Sequence, residues 1–248
     1  PAAARVKLGG TLVPRWRHLG DRPAPEINPI VRSGQTADAY FWRTREVLAV
    51  ENRNPTVTME VFPSRAGVMC GMREVLALLL PELPADAEVW ALGEGARVVP
   101  KEVVLRITAP YLSFGLYETA LLGYLAHETG WATAAAECVE AAQGRRVVSF
   151  GARHVHPDIA ARMDYAAVVG GCVGCSTLEG ARLAGVVAAG TMPHALVLIV
   201  GNTVEAALAF DRHVAPEIPR IVLVDTFEDE AKEAVRVAEA MGERLAGV

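Results

Sequence analysis

The chain has 248 residues, 52% of them hydrophobic, 21% charged and 6% aromatic, with a net charge of −5. That excludes disorder, and four cysteines without dense spacing exclude a small disulfide scaffold. No basic footprint dominates, so no nucleic-acid partner is expected, although residues 1–30 hold five Lys/Arg against two Asp/Glu while residues 31–248 hold 19 against 27.

Pro14, Pro23, Pro25 and Pro29, with Gly9, Gly10 and Gly20, punctuate residues 1–30, which read as strand fragments and loop, an arm or an edge strand. Residues 32–50 read as a helix entered after Ser33 and Thr36, with Tyr40, Val47, Leu48 and Val50 as its apolar positions. Residues 57–62 form a β-branched strand ahead of Pro63, and residues 70–80 a helix stopped by Pro81. Short strands follow at 88–92, 96–99 and 103–108, between Gly/Pro turns. Residues 1–112 therefore read as an α+β domain.

From Ser113 the pattern changes. Residues 113–142 form one long apolar-rich helical stretch with a candidate break at Gly130 and an end at Gly144. A strand–helix rhythm then runs through strands at 147–150, 166–169, 186–190 and 220–224, and helices at 157–165, 176–183, 203–213 and 228–241. Such alternation implies parallel strands with crossover helices. The expected fold class is α/β: an N-terminal α+β sandwich domain plus an incomplete β/α barrel over 113–248. About four β/α units are present where a closed barrel needs about eight, and residues 247–248 fall where another strand should begin. The expectation is a chain that lacks the C-terminal part of its barrel.

Between Leu183 and Val204 no Asp, Glu, Lys or Arg occurs, which meets the length of a membrane span. Gly185, Gly190, Pro193, His194, Gly201 and Asn202 interrupt the run, and lipid would carry them badly. With no signal-peptide pattern at the start, the reading is no membrane partner and a cytoplasmic, reducing setting with free thiols.

The chemistry gathers at predicted strand ends. The first is followed by Ser149-Phe150-Gly151-Ala152-Arg153-His154-Val155-His156, the second by Cys172-Val173-Gly174-Cys175-Ser176, the third by Thr191-Met192-Pro193-His194 and the fourth by Asp225-Thr226. In β/α folds the strand C-terminal ends carry the site. Arg153 offers a planar fork to phosphate or carboxylate, Asp225 an acceptor for sugar hydroxyls or a hold on Mg²⁺, and His194 a base or nucleophile. The set suits a phosphorylated sugar, and no Walker spacing supports an ATP P-loop. Each residue alone also reads as an ordinary loop or cap residue. His154 and His156 open a rival reading, a metal-dependent hydrolase with His194 and Asp225 as further ligands. Cys172 and Cys175 read as small buried thiols, because Cys70 and Cys138 do not complete a zinc set. By spacing alone, Tyr40 and Phe150 read as core aromatics.

The segments TADAYFWRT (36–44), YETALLGYLA (117–126), SFGARHVHP (149–157), GTMPHALVLIVGNTVEAALAFD (190–211) and RIVLVDTF (220–227) resemble the nicotinate phosphoribosyltransferase family in its archaeal-type branch. The resemblance covers residues 30–248 and leaves the basic first 30 residues without a role. It implies transfer of 5-phosphoribosyl from its 1-diphosphate (PRPP) to nicotinate, giving nicotinate mononucleotide and pyrophosphate for NAD synthesis, with ATP and Mg²⁺ and a homodimer. It also implies site roles. Tyr40 and Phe150 would sandwich the pyridine ring, against the core reading. Arg153 would contact PRPP or the carboxylate, Ser176 would lie near the base and Thr191 would touch nicotinate. His194 would be phosphorylated, and Asp225 would face the ribose hydroxyls. Quinolinate phosphoribosyltransferase, on the same fold, is the close alternative.

Overall fold

The computed structural model describes residues 5–9 and 25–248. The strand-and-loop reading of residues 10–24 lies outside the described residues. The chain divides into two compact units, residues 1–188 and 189–248.

The first unit opens with a four-stranded sheet ordered β1-β4-β6-β2. Its strands are β1 (Arg5–Gly9), β2 (Thr56–Val61), β4 (Glu88–Leu92) and β6 (Leu105–Pro110). β1 runs parallel to β4, with Val6 opposite Val89, while β4–β6 and β6–β2 are antiparallel. A two-stranded ladder, β3 (Gly67–Val68) with β5 (Arg97–Val98), lies outside that sheet. Period-two patterning decides the buried face: Leu105, Ile107 and Ala109 of β6 are buried, whereas Arg106 points out to pair with Glu60 of β2 at 2.6 Å. Helix α3 (Met72–Leu79) contributes Val75, Leu78 and Leu79 to that core. Helix α4 (Glu118–Ala141) adds Leu121 and Leu125.

Gly71 shows how tightly these elements meet. It begins α3 at φ +91, and a Cβ there would lie 2.5 Å from the Tyr124 carbonyl oxygen of α4. Both the left-handed backbone and the close approach require glycine. Gly71→Ala is expected to cost at least ~2 kcal/mol in urea unfolding, with the slope unchanged.

The helix expected at 32–50 is two helices, α1 (Pro29–Arg32) and α2 (Ala39–Val50). Of α2 only Phe41 is buried, so the expected apolar positions Tyr40, Val47 and Val50 are exposed instead. α4 runs unbroken through Gly130, which has open space on its side-chain side. Next come β7 (Val148–Ser149) and α5 (Pro157–Val169). The strand expected at 166–169 is the last turn of α5, and the true strand is β8 (Gly174–Cys175), parallel to β7. Ala166 and Ala167 are buried helix residues, and Ala166 packs with Ala132 and Ala136 in a small-residue seam. Helix α6 (Leu178–Ala184) follows, and the strand expected at 186–190 reduces to one parallel bridge, Cys175 with Ala188.

The second unit packs α7 (His194–Val200), α8 (Thr203–His213) and α9 (Glu230–Met241) round Val197, Ala206, Phe210, Val222 and Val237. α7 lies beyond the expected elements. The strand expected at 220–224 is a parallel bridge between Ile221 and Gly247, held by Val222 N–H to the Gly247 carbonyl at 3.0 Å. Among the described residues no single helix is long and apolar enough to cross a membrane. The hydrophobic run folds into α7 and α8, bent by 110° at Gly201-Asn202. Asn202 caps α8, its side chain accepting from the N–H groups of Val204 and Glu205.

Candidate active site

In the first unit the residues after β7 and β8 are fastened by one carboxylate. Asp164, in the middle of α5, is fully buried. Its Oδ1 accepts the Ser149 hydroxyl at 2.8 Å, from the end of β7. Its Oδ2 accepts the Thr177 N–H at 2.9 Å, the Thr177 hydroxyl at 2.8 Å and the Ser176 hydroxyl at 3.4 Å, all from just after β8. The Thr177 hydroxyl also accepts the Gly180 N–H at 3.1 Å, capping α6. Gly180 has to be glycine, since a Cβ would stand 2.5 Å from Asp164 Cβ.

On the two fastened tips sit the predicted site residues. Phe150 follows Ser149 directly and is 57% exposed, so its ring is not in the core. Arg153 and His154 end the 3₁₀ turn Gly151–His154 and are exposed. Ser176 is half-buried on Asp164. The ordinary core reading fails for Tyr40 too: it is 57% exposed on the first turn of α2. Its hydroxyl donates to Asp38 at 3.2 Å, and Asp38 in turn accepts the Thr119 hydroxyl of α4 at 2.9 Å.

In the second unit His194 Nε2 lies 3.1 Å from Asp225 Oδ1, with the two side chains 55% and 51% exposed. The Thr191 hydroxyl donates to the Ile221 carbonyl at 2.6 Å. Thr226, beside Asp225, keeps its hydroxyl buried without a hydrogen-bond partner. These three site residues thus gather at the start of α7 and the segment following Ile221.

The metal-hydrolase ligands do not assemble: among the described residues no three His, Cys, Asp or Glu side chains are grouped to hold a metal ion. His156 instead caps α5, its Nδ1 accepting the Asp158 N–H. Cys172 and Cys175 are buried thiols, as expected. Burial pushes the Cys175 thiol up to about 11, with Asp164 and Cys172 adding to the effect.

The first unit also holds a buried polar network outside the expected set. Glu94 Oε1 accepts the N–H groups of Gly71 and Arg73, both at 3.1 Å, and its Oε2 accepts the Tyr165 hydroxyl. Glu74 is held by Arg162, and Glu128 accepts the Cys70 thiol at 3.6 Å. Burial, then the Glu74 charge, pushes the Glu94 carboxyl up to about 7, and the same causes raise Glu128.

Known proteins give this arrangement a family. The family model for the N-terminal domain of quinolinate phosphoribosyl transferase matches residues 38–129, and the model for its C-terminal domain matches residues 131–243. A crystal structure of nicotinate-nucleotide pyrophosphorylase from Pyrococcus furiosus is 44% identical, with a TM-score of 0.81 over 91% of this chain and 59% of that one. A nicotinate phosphoribosyltransferase from Mycobacterium tuberculosis is 34% identical over 161 residues, 64% of this chain and 34% of that protein. A carboxylating nicotinate-nucleotide pyrophosphorylase from Mycobacterium leprae is 28% identical over 174 residues, 69% of this chain and 58% of that protein. The chain thus spans about a third of the length of the M. tuberculosis relative and about three fifths of the P. furiosus one. The fold is the mixed α/β type, an α+β N-terminal part followed by a barrel-like part. By both domain models, the chain belongs to the quinolinate phosphoribosyl transferase family.

Proposed function

We propose that this chain binds a pyridine carboxylate for phosphoribosyl transfer from PRPP, forming nicotinate mononucleotide and pyrophosphate on the route to NAD. One observation carries the reading: an exposed aromatic, Phe150, and an exposed cation, Arg153, stand on a strand tip anchored from below. A flat ring with a negative edge is matched by a stacking surface and a guanidinium fork. Tyr40 would supply the opposite face of the stack. Ribosyl transfer passes through an oxocarbenium-like centre, as glycoside cleavage does. Catalysis then consists of holding the ring nitrogen in line and stabilising the charge that leaves with pyrophosphate. Mg²⁺, when bound, would neutralise that diphosphate, and in the second unit Asp225 is the carboxylate that could hold an ion arriving on substrate phosphates. Thr226, with its unsatisfied hydroxyl beside Asp225, fits a ribose or phosphate partner.

Quinolinate is the acceptor favoured by the two domain models and by the name of the 44%-identical structure. In that reaction a carboxylate leaves as carbon dioxide and ATP is not used. Nicotinate as acceptor is favoured by the name of the M. tuberculosis relative, and ATP use by the His194–Asp225 pair. In the tautomer that directs Nε2–H at Asp225, Nδ1 would keep its lone pair as a nucleophile toward a phosphoryl group. A phosphohistidine would add negative charge at the site. A dimer, as the resemblance implies, belongs to the same proposal.

The test is an assay with PRPP and Mg²⁺, with quinolinate or nicotinate, with and without ATP. Mononucleotide from quinolinate with stoichiometric carbon dioxide and no ATP effect establishes the first acceptor. Product from nicotinate with ADP release that vanishes in His194→Ala establishes the second. No mononucleotide from either acceptor rejects the function. Phe150→Ala should raise the acceptor KM about two- to twelvefold, the range of one lost aromatic stack of ~0.5–1.5 kcal/mol.

A further inference from the structure

We infer that Asp164 is a positioning residue that sets the spacing between the Phe150 and Ser176 tips; the inference rests on the acceptor-binding reading above. A fully buried carboxylate needs satisfied oxygens, and Asp164 obtains them from two strands rather than from its own helix. One oxygen takes the β7 end through Ser149; the other takes the β8 end through Ser176 and both donors of Thr177. β7 and β8 themselves are two residues each, so their ladder is short. The carboxylate therefore adds a second fastening at the place where the ladder stops. Gly180 lets α6 close on Asp164 from the far side. The group is too deep to touch an acceptor, so its influence passes through the two tips. A hydroxyl pair aimed at one carboxylate also uses each donor's only proton, leaving Ser149 and Thr177 no hydroxyl proton for a ligand.

Asp164→Asn tests this with little change of volume. The amide nitrogen cannot accept the Thr177 N–H, so the amide turns that nitrogen to Ser149, whose hydroxyl must reverse to accept it, and each tip exchanges bonds to a carboxylate for weaker bonds to a neutral amide. Amide hydrogen exchange is expected to speed up about tenfold or more at 148–151 or at 174–177, with helix α5 still protected. In the transferase assay the acceptor KM should rise about tenfold while kcat stays within about threefold. Ser149→Ala should reproduce the KM rise in a chain that keeps the other three bonds, and Ser149→Thr, which retains the hydroxyl, should restore it. Unchanged exchange at both tips overturns the inference, as does an acceptor KM within twofold of wild type in both Asp164→Asn and Ser149→Ala. Faster exchange spread evenly along α5 also overturns it, because that marks a general helix defect. The exchange result stands even if the wild type turns over neither acceptor, which separates this inference from the functional one.

Discussion

Arg220→Ala is expected to destabilise the second unit by about 2 kcal/mol, because the carbonyls where α8 ends lose their charged hydrogen-bond donor. The Arg220 guanidinium is nearly enclosed. Its Nε donates to Asp211 Oδ1 at 3.0 Å, and its terminal nitrogens reach the carbonyls of Asp211, Val214, Ala215 and Ile218 at 2.6–3.0 Å. It therefore satisfies the carbonyls left over where α8 ends, at the negative pole of that helix. Removal leaves the half-buried Asp211 with Arg244 as its remaining cation and leaves the turn at 214–218 without its hub. Arg220→Lys should recover less than half, since an ammonium cannot fork to five acceptors. The loss is read from urea unfolding, or from hydrogen exchange over 203–213. A change below about 1 kcal/mol refutes the hub role. The same loosening should reach the site, because Thr191 bonds the carbonyl of the next residue, Ile221.

The first unit should lose stability as pH rises from 5 to 8.5, opposite to the usual carboxylate behaviour. Glu94 moves from 4.5 in the unfolded chain to about 7 in the folded one. The folded state therefore keeps a proton that the unfolded chain gives up. Its favourable contribution is complete below pH 4.5 and disappears as pH climbs through about 7, a swing on the order of 3 kcal/mol. Glu128 shifts the same way. Around them stand Glu74, Arg73, Arg162, Tyr165 and Cys70, from α3, α5 and the β3–α3 connection. The carboxyls held low elsewhere, Asp211, Glu233 and Glu179, release stability only in more acid solution and do not mask the effect. Glu94→Gln keeps an acceptor for Gly71 and Arg73 and removes the Glu94 titration, so its unfolding free energy should fall less steeply with pH than that of the wild type, the remaining fall belonging to Glu128. Parallel curves for the two proteins would discard the Glu94 assignment.

Strand and helix positions with strong punctuation were readable in the residues. Thr56–Val61 lies between Pro55 and Pro63, and Met72–Leu79 stops at Pro81. The misreadings have physical causes. Ala166-Ala167-Val168-Val169 carries β-branched residues, yet its alanines belong to a helix that buries small side chains against α4. The real strand, Gly174–Cys175, has no β-branched residue and pairs for two positions only. Of the candidate site, the tip residues could be picked from their place after strands. The pairing of His194 with Asp225 spans 31 positions and left no local trace. Asp164 was harder still: a single acidic residue in a helical run resembles a solvated face until its four donors, from two other segments, are seen. The buried glutamates hid for the same reason.

β1 covers the outer side of β4, which among the described residues is otherwise laddered only to β6. A chain shortened to begin at Pro25 would strip that cover and turn the hydrogen-bonding rim of β4 into a template for other molecules. Such a form is prone to self-association even with every site residue in place, so turnover and solubility have to be measured on a chain that retains residues 5–9.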